Sequence, residues 1–134
     1  MKRTYVDAGV LIRAARGVAS LSEPAIEILC DPEREFVSSI LVRLEVLPQA
    51  TGPSEVEFYE TYFKRVAVWA PFDPYLLTTA VEEARSSGLP PLDAIHIVLA
   101  GATGCHEFVT TAKADASIYG TKRVAVVGLG PGTD

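Results

Sequence analysis

The stretch Leu89–Ala100, which reads LPPLDAIHIVLA, decides how the rest of the chain is interpreted. Pro90 and Pro91 predict the start of a helix, because proline's fixed φ angle suits a first helical turn and its missing N–H is not needed there. The residues that follow are apolar on nearly every side, which predicts a largely buried helix. Asp93 falls in the first turn, and His96 follows one turn later on the same face. A carboxylate in that position must cap the helix, pair with a cation or bind a metal.

Length and composition predict one soluble domain. The chain has 134 residues, which is enough for one core and too short for two. No apolar run is long enough to cross a bilayer, and Asp7 interrupts the N-terminus before a signal-peptide core can form, so we expect a cytoplasmic protein with no membrane partner. Cys30 and Cys105 lack metal-type spacing and are interpreted as reduced core residues. The net charge of −5 argues mildly against broad nucleic-acid binding, but it allows a local basic edge around an acidic centre.

Short apolar segments alternate with helical patterns, which indicates an α/β protein whose parallel sheet is covered on both faces. Residues 40–47 are ambiguous by periodicity, and their helix interpretation depends on Ser38 or Ser39 as a cap and on Pro48 as a stop. We expect a single domain over residues 1–127 and a flexible tail over residues 128–134. The predicted strands are 3–7, 35–38, 66–69, 107–110 and 123–127. The predicted helices are 10–16, a second helix capped by Ser22 with Pro24 in its first turn, 40–47, 53–65, 74–87 and the buried helix from residue 91 to about residue 101.

Three acids lie where a surface role is hard to assign. Asp7 ends the first predicted strand, Glu45 lies inside an apolar helix, and Asp93 begins the buried helix. Ligands of an open parallel sheet bind beyond the carboxyl ends of its strands, where Asp7 and Asp93 can meet. Three carboxylates in apolar settings repel one another unless a cation neutralises them, and hard oxygen ligands suit Mg²⁺ or Mn²⁺. A strand-end turn for Asp7 and dipole capping for Asp93 are the alternative interpretations.

Four segments resemble, in order, the motifs of PIN-domain proteins. Residues 5–12 (YVDAGVLI) resemble the opening strand, acid and helix, and residues 37–46 resemble the second motif, with Glu45 inside the third helix. LDAIH at 92–96 is similar to the most recognisable run of the family, and FVTT at 108–111 resembles the end of its fourth strand. The resemblance covers almost the whole chain.

This resemblance implies a three-layer PIN-like domain with a central parallel sheet of about five short strands, usually as a homodimer. It also implies metal-dependent hydrolysis of RNA phosphodiester bonds with Mg²⁺ or Mn²⁺, often by the toxin of a VapBC-type pair whose partner is an antitoxin protein. Carried over by position, Asp7, Glu45 and Asp93 would be the catalytic acids that bind the metal. The metal would activate water and stabilise the charge that develops at phosphorus.

One position departs from the family pattern. Many members carry an acid or Asn two residues after the Thr that matches Thr110, and this chain has Ala112 there. Asp115 is a candidate substitute as a metal ligand, or else a surface acid that caps residues 116–119. Ala112 therefore keeps open a second interpretation, in which a PIN-like domain binds RNA or a protein partner without cutting.

Further residues are candidates for supporting roles around the acids. Ser38 carries a hydroxyl that can hold an acid or water, and His96 is interpreted as a hydrogen-bonded core residue, because imidazole suits Mg²⁺ poorly. RNA binding requires positive charge near the acids, and side chains three apart on a helix share a face. The candidate substrate-binding residues are Arg13, Arg16, Thr110, Thr111 and Lys113.

Other classes fit the sequence less well. A haloacid-dehalogenase-like phosphatase needs a second Asp at position 9, where Gly9 stands. A receiver domain needs adjacent acids early in the chain and a phosphorylatable Asp in its middle. A structural domain whose acids only cap helices is the remaining alternative.

Overall fold

The computed structural model describes residues 1–17 and 19–130, which form a five-stranded sheet with six α-helices and one 3₁₀ helix. The strands are β1 (Lys2–Val6), β2 (Arg34–Ser38), β3 (Val68–Trp69), β4 (Glu107–Thr110) and β5 (Ala125–Gly128). The helices are α1 (Ala8–Arg16), α2 (Ala19–Leu29), α3 (Ile40–Val46), α4 (Pro53–Arg65), α5 (Pro74–Ser87) and α6 (Pro91–Ala102), and the 3₁₀ helix covers Ser117–Gly120. No helix within these ranges is long and apolar enough to cross a membrane.

The sheet is parallel throughout, in the order β3-β2-β1-β4-β5. In the central strand β1, Tyr5 lies opposite Val37 of β2 and Phe108 of β4. All three residues are fully or almost fully buried, as expected for parallel strands that helices cover on both faces. The predicted α/β class and the three-layer arrangement with five short strands are therefore confirmed.

The parallel direction brings the ends of several strands to one side of the sheet. β1 ends at Val6, β2 at Ser38 and β4 at Thr110, and these three strands are neighbours. We call this side the carboxyl edge. Parallel sheets of this open type bind ligands there, so the residues that follow these strands are the first place to look for a site.

Helix α2 differs most from its prediction, because it begins at Ala19 and contains Pro24 in its interior instead of its first turn. The predicted cap Ser22 is only 8% exposed and Ala25 is fully buried, so packing against the core keeps this part of the chain helical. Cys30, directly after the helix, is exposed, and its interpretation as a core residue is wrong.

The C-terminal end differs from its prediction by one residue. Strand β5 includes Gly128, one residue beyond the predicted end of the strand, and Leu129 donates its N–H to the Thr110 carbonyl over 3.0 Å. Residues 131–134 of the expected flexible tail lie outside the described residues. The domain boundary at residue 127 stays a prediction.

A buried acid joins α5 to the segment that precedes β5. Glu83 has a side chain that is 5% exposed, and it accepts hydrogen bonds from Ser87 Oγ at 2.6 Å, Thr121 Oγ1 at 2.8 Å and Arg123 Nε at 2.5 Å. Burial alone would raise the pKa of Glu83, but these three donors outweigh it and lower the pKa. The ionised carboxylate therefore stabilises the folded state.

We expect Glu83→Gln to destabilise the protein at pH 7 by about 1–3 kcal/mol, because the neutral amide cannot form the charge-assisted hydrogen bonds of the buried carboxylate. A lowered folded-state pKa means that this stabilisation is present above the ordinary value of 4.5 and is lost as the pH falls through the lower folded-state pKa. Thermal unfolding of both proteins between pH 7 and pH 3 should show the difference in melting temperature shrinking. Glu82→Gln, at an exposed neighbour, is the control; a difference that does not change with pH would contradict the assignment.

Candidate active site

Asp7 lies at the carboxyl edge, directly after β1, and forms the N-cap of α1. Its Oδ1 accepts the backbone N–H of Ala8 at 2.8 Å, and its Oδ2 accepts the hydroxyl of Thr110 at 3.2 Å. The Thr110 hydroxyl oxygen itself accepts the N–H of Ala112 at 3.1 Å. Contacts from α1 and from the end of β4 therefore orient this carboxylate, and the Thr110 side chain bonds to it directly.

Glu45 projects from α3 and bonds to a buried histidine of α6. Its side chain is 27% exposed, and Oε1 makes a short hydrogen bond with Nε2 of His96. His96 is 1% exposed, and its Nδ1 lies 2.7 Å from the Tyr5 hydroxyl. Both ring nitrogens are therefore engaged, as expected for a histidine built into the core.

Asp93 is the third residue of α6 and is partly buried. Burial raises its pKa, the nearby His96 lowers it, and the charge of Glu45 raises it. Burial also raises the pKa of Asp7, which His96 and the Ala8 N–H lower and which Glu45 and Asp93 raise further. The structure thus brings the three acids, Asp7, Glu45 and Asp93, within electrostatic reach of one another.

This set of donors fits a hard divalent cation in its chemistry. The charge of Glu45 raises the pKa of both Asp7 and Asp93, and carboxylates that repel in this way are the groups that a bound cation stabilises. Ser38, at the end of β2, is fully buried, and its hydroxyl has no hydrogen-bond partner within the described part of the chain. Among residues 1–17 and 19–130, however, no group of three or more His, Cys, Asp or Glu side chains is assembled as an ion cage. An ion would therefore have to draw the acids together.

Thr111 packs against the first turn of α1, and this contact explains the glycine at position 9. A Cβ atom on Gly9 would lie 2.5 Å from Thr111 Oγ1, closer than real contacts allow. A side chain at position 9 would therefore force the Thr111 hydroxyl to turn away from α1. The same contact opposes the second Asp that a haloacid-dehalogenase-like phosphatase needs there.

The predicted cations have partners of their own or are exposed. The Arg13 guanidinium donates to the Gly130 carbonyl at 3.3 Å, whereas Arg16 pairs with Glu55 at 2.9 Å and donates to the Gln49 carbonyl at 2.6 Å. The two side chains thus bind different segments, and their role in substrate binding stays a prediction. Lys113 is exposed beside Ala112.

Asp115 does not cap the segment that follows it, and its role as a metal ligand stays a prediction. It is exposed, and its charge is not among the causes that shift the pKa of Asp7 or Asp93. The 3₁₀ helix that follows has Ala116 at its N-cap and no side-chain cap, so the capping interpretation is wrong. Asp115 lies in a turn over residues 114 and 115, one residue before the N-cap position of that helix.

Tyr5 is the residue of this site that the sequence interpretation missed. It is fully buried, and its hydroxyl contacts both His96 and Ser39. A tyrosine in a predicted buried strand requires a hydrogen-bond partner for its hydroxyl, and this requirement is the signal that points to it.

Comparison with solved structures shows the same fold in three bacterial complexes. The chain is similar to a chain of VapBC2 from Rickettsia felis bound to a DNA fragment from its promoter, with a TM-score of 0.70, 11% identity, and coverage of 94% of this chain and 98% of that one. For DNA-bound VapBC from Salmonella typhimurium the TM-score is 0.68 at 14% identity, covering 96% and 99% of the two chains. For FitAcB from Neisseria gonorrhoeae it is 0.63 at 16% identity, covering 94% and 97%.

Sequence comparison identifies the family. No curated protein matches the chain significantly. The family model of the PIN domain matches residues 4–117, a range that contains the three acids and the four motifs. The match covers most of the chain, and the protein belongs to the PIN-domain family.

Proposed function

We propose that this protein is a divalent-metal-dependent endoribonuclease. The observation that carries the proposal is electrostatic: burial and the charges of Glu45 and Asp93 raise the pKa of Asp7, and burial and the charge of Glu45 raise the pKa of Asp93. Membership in the PIN-domain family supports a nuclease. The likeness to VapBC structures supports the toxin of a toxin–antitoxin pair, with an antitoxin as partner. We also propose a homodimer, which the family resemblance implies.

The proposed ligands of Mg²⁺ or Mn²⁺ are Asp7, Glu45 and Asp93. A bound ion would act as a Lewis acid on the phosphoryl oxygen and lower the pKa of a water molecule. The protein's own contribution is orientation: Thr110 and the Ala8 N–H hold Asp7, and His96 holds Glu45. Ser38 offers a buried hydroxyl for a water molecule at the end of β2.

Positive charge for the RNA backbone comes from the side of the site that β4 and β5 form. Lys113 is exposed in the loop after β4, and Arg13 contacts Gly130 beyond β5. We propose these two cations as phosphate contacts, together with the hydroxyl of Thr111. A phosphate contact by Arg16 would have to compete with Glu55 and the Gln49 carbonyl, which bind its guanidinium.

Cleavage of a labelled RNA pool tests the proposal directly. We expect the wild type to cut RNA with Mg²⁺ or Mn²⁺ and not with a chelator, and Asp93→Asn to cut at least about a hundredfold more slowly, since a metal contributes several kcal/mol to the transition state. Glu27→Gln removes one negative charge from the exposed surface of α2 and should leave the rate unchanged. Equal cleavage by the wild type and Asp93→Asn would overturn the proposed site.

A second candidate function is a PIN-like domain that binds RNA or a protein without cutting. Ala112 favours it, because this residue supplies no carboxylate where many members of the family have one. Its backbone serves the structure instead: its N–H bonds to Thr110 and its carbonyl accepts the Tyr119 hydroxyl at 2.8 Å. RNA bound by a folded wild type, without cleavage under any metal condition, would favour this function.

A further inference from the structure

We infer that Tyr5 is a positioning residue, whose hydroxyl fixes the His96 imidazole in the tautomer that carries its proton on Nε2 and thereby holds the Glu45 carboxylate at the carboxyl edge. The inference deepens the proposed function, on which the role of Glu45 rests. It assigns a role to a buried side chain that is not itself one of the acids.

The first argument is the position of the Tyr5 hydroxyl between the elements that carry the acids. Tyr5 stands in β1, two residues before Asp7. Its hydroxyl lies 2.8 Å from Ser39 Oγ, directly before α3, and 2.7 Å from His96 Nδ1, on α6. One buried oxygen atom therefore links the three segments from which the three acids project.

The second argument is the direction of the protons. An ionised carboxylate can only accept, so the hydrogen bond between Glu45 and His96 requires the proton on Nε2. When the ring carries this single proton, Nδ1 accepts, and the Tyr5 hydroxyl is the donor beside it. Burial raises the pKa of Tyr5, so the hydroxyl keeps its proton at neutral pH. The Ser39 hydroxyl can in turn donate to the Tyr5 oxygen, which completes a chain of donors that points towards Glu45.

The third argument is that the local helix does not use the Ser39 hydroxyl. Ser39 occupies the N-cap of α3, where a serine usually accepts a backbone N–H, but no such side-chain bond forms. Its hydroxyl contacts Tyr5 instead. The Ser39 hydroxyl therefore bonds to Tyr5 in preference to capping α3.

Tyr5→Phe isolates the hydroxyl, because other contacts hold the ring. The Tyr5 ring stacks on Phe108 at a centroid distance of 5.4 Å and meets the His96 ring edge-on at 5.6 Å. Tyr62 supplies a matched control, since it is 4% exposed and its hydroxyl has no hydrogen-bond partner within residues 1–17 and 19–130. Tyr62→Phe removes an equally buried hydroxyl that serves nothing in the site.

The experiment reads the imidazole nitrogens of the metal-free protein by ¹⁵N NMR at neutral pH. The chain has two histidines, so His106→Gln assigns the signals of His96. We expect Nδ1 in the unprotonated range and Nε2 in the protonated range, with a proton on Nε2 that exchanges slowly with solvent. In Tyr5→Phe the two nitrogen signals should move towards each other, and the Nε2 proton should exchange faster. Tyr62→Phe should resemble the wild type.

Mn²⁺ affinity provides the second readout, measured by titration followed by electron paramagnetic resonance. We expect Tyr5→Phe to bind Mn²⁺ about tenfold more weakly, the low end of what the loss of a residue that orients a ligand usually costs. Ser39→Ala, which removes only the outer donor, should shift both readouts in the same direction by a smaller amount. If Tyr5→Phe does not fold, these two shifts in Ser39→Ala test the positioning role of Tyr5 in its place.

A proton on Nδ1, or a doubly protonated ring at neutral pH, would overturn the inference, and so would a Tyr5→Phe protein that keeps the tautomer and the exchange rate of the wild type. The NMR readout needs neither metal nor RNA. A wild type that shows the expected tautomer but cuts no RNA therefore refutes the nuclease and leaves the positioning role of Tyr5 intact. A wild type that cuts RNA but carries the His96 proton on Nδ1 supports the nuclease and refutes the positioning role of Tyr5.

Discussion

Asp7→Asn is expected to slow RNA cleavage by at least about a hundredfold and, in the same protein, to raise the melting temperature measured without metal. Asparagine caps a helix as well as aspartate does, so the bond to the Ala8 N–H survives. The Thr110 hydroxyl can rotate to accept from the new amide. The substitution removes one charge from a set of carboxylates that repel one another.

The sign of the stability change follows from the pKa of Asp7. Burial raises this pKa above its ordinary value of 3.8, and the charges of Glu45 and Asp93 raise it further against the opposing effect of His96. The folded state then binds more protons than the unfolded chain, so stability falls as the pH rises through the folded-state pKa. The ionised Asp7 therefore costs stability at pH 7, and this cost disappears below about pH 3.8.

Thermal unfolding in chelator and in excess Mn²⁺ measures both effects. In chelator at pH 7 we expect Asp7→Asn to melt about 3 °C or more above the wild type, and the gap should close as the pH falls towards 3.8. Added Mn²⁺ should raise the melting temperature of the wild type alone, because a ligand stabilises the state that binds it. Glu27→Gln should show neither change. An Asp7→Asn protein that is less stable than the wild type in chelator would contradict the electrostatic account.

Local signals explain why some helices were predicted to within one residue. Helix α5 begins after Asp73, whose side chain accepts the N–H of Leu76 at 3.0 Å, and it ends at Gly88, which adopts φ 67°. A capping acid before proline and a glycine with positive φ are signals contained within a few residues. Helix α6 begins at the second of two prolines for the same kind of reason.

Distant contacts explain what the sequence could not predict. Helix α2 continues ahead of Pro24 because Ser22 and Ala25 pack in the core, which no neighbouring residue signals. Arg16 pairs with Glu55, which lies 39 residues later in the chain. Partners of this kind become known only once the chain has folded.

The candidate site shows both situations. The three acids were found because each stands at a recognisable place in its own segment: after a strand, inside an apolar helix, or in a first turn. The Tyr5 hydroxyl bonds to Ser39, 34 positions later in the chain, and to His96, 91 positions later. No local spacing in the sequence indicates these contacts. The sequence thus identifies the charged groups, whereas the packing of β1, α3 and α6 determines which neutral groups orient them.

A buried ion pair at the opposite end of the sheet gives the largest expected effect on stability. Glu107 begins the buried strand β4, and its side chain is 5% exposed. It accepts the Thr4 hydroxyl at 2.8 Å and the Arg34 Nε–H at 2.8 Å, while Lys2 Nζ lies 3.8 Å away and is largely exposed. Arg34 is therefore the cation that compensates this carboxylate.

We expect Arg34→Met to destabilise the protein by about 3 kcal/mol, because it leaves Glu107 charged and without its main partner in the interior. The double variant Arg34→Met/Glu107→Gln should recover much of the loss, since it removes the uncompensated charge as well. Urea unfolding of the wild type, both single variants and the double variant measures this coupling energy. Lys2→Met is the control, and it should cost less than about 1 kcal/mol, because its charge is exposed to solvent.

The same variants separate stability from function. Glu107 and Arg34 begin their strands, whereas the three acids gather at the carboxyl edge, so cleavage by Arg34→Met well below its melting temperature should equal that of the wild type. Equal losses of stability in Arg34→Met and Lys2→Met would show that solvent, not Arg34, compensates the Glu107 charge. A loss of cleavage in folded Arg34→Met would mean that the two ends of the sheet are coupled. If neither result is obtained, the acids at the carboxyl edge act in cleavage, whereas Glu107 at the opposite end of the sheet stabilises the fold.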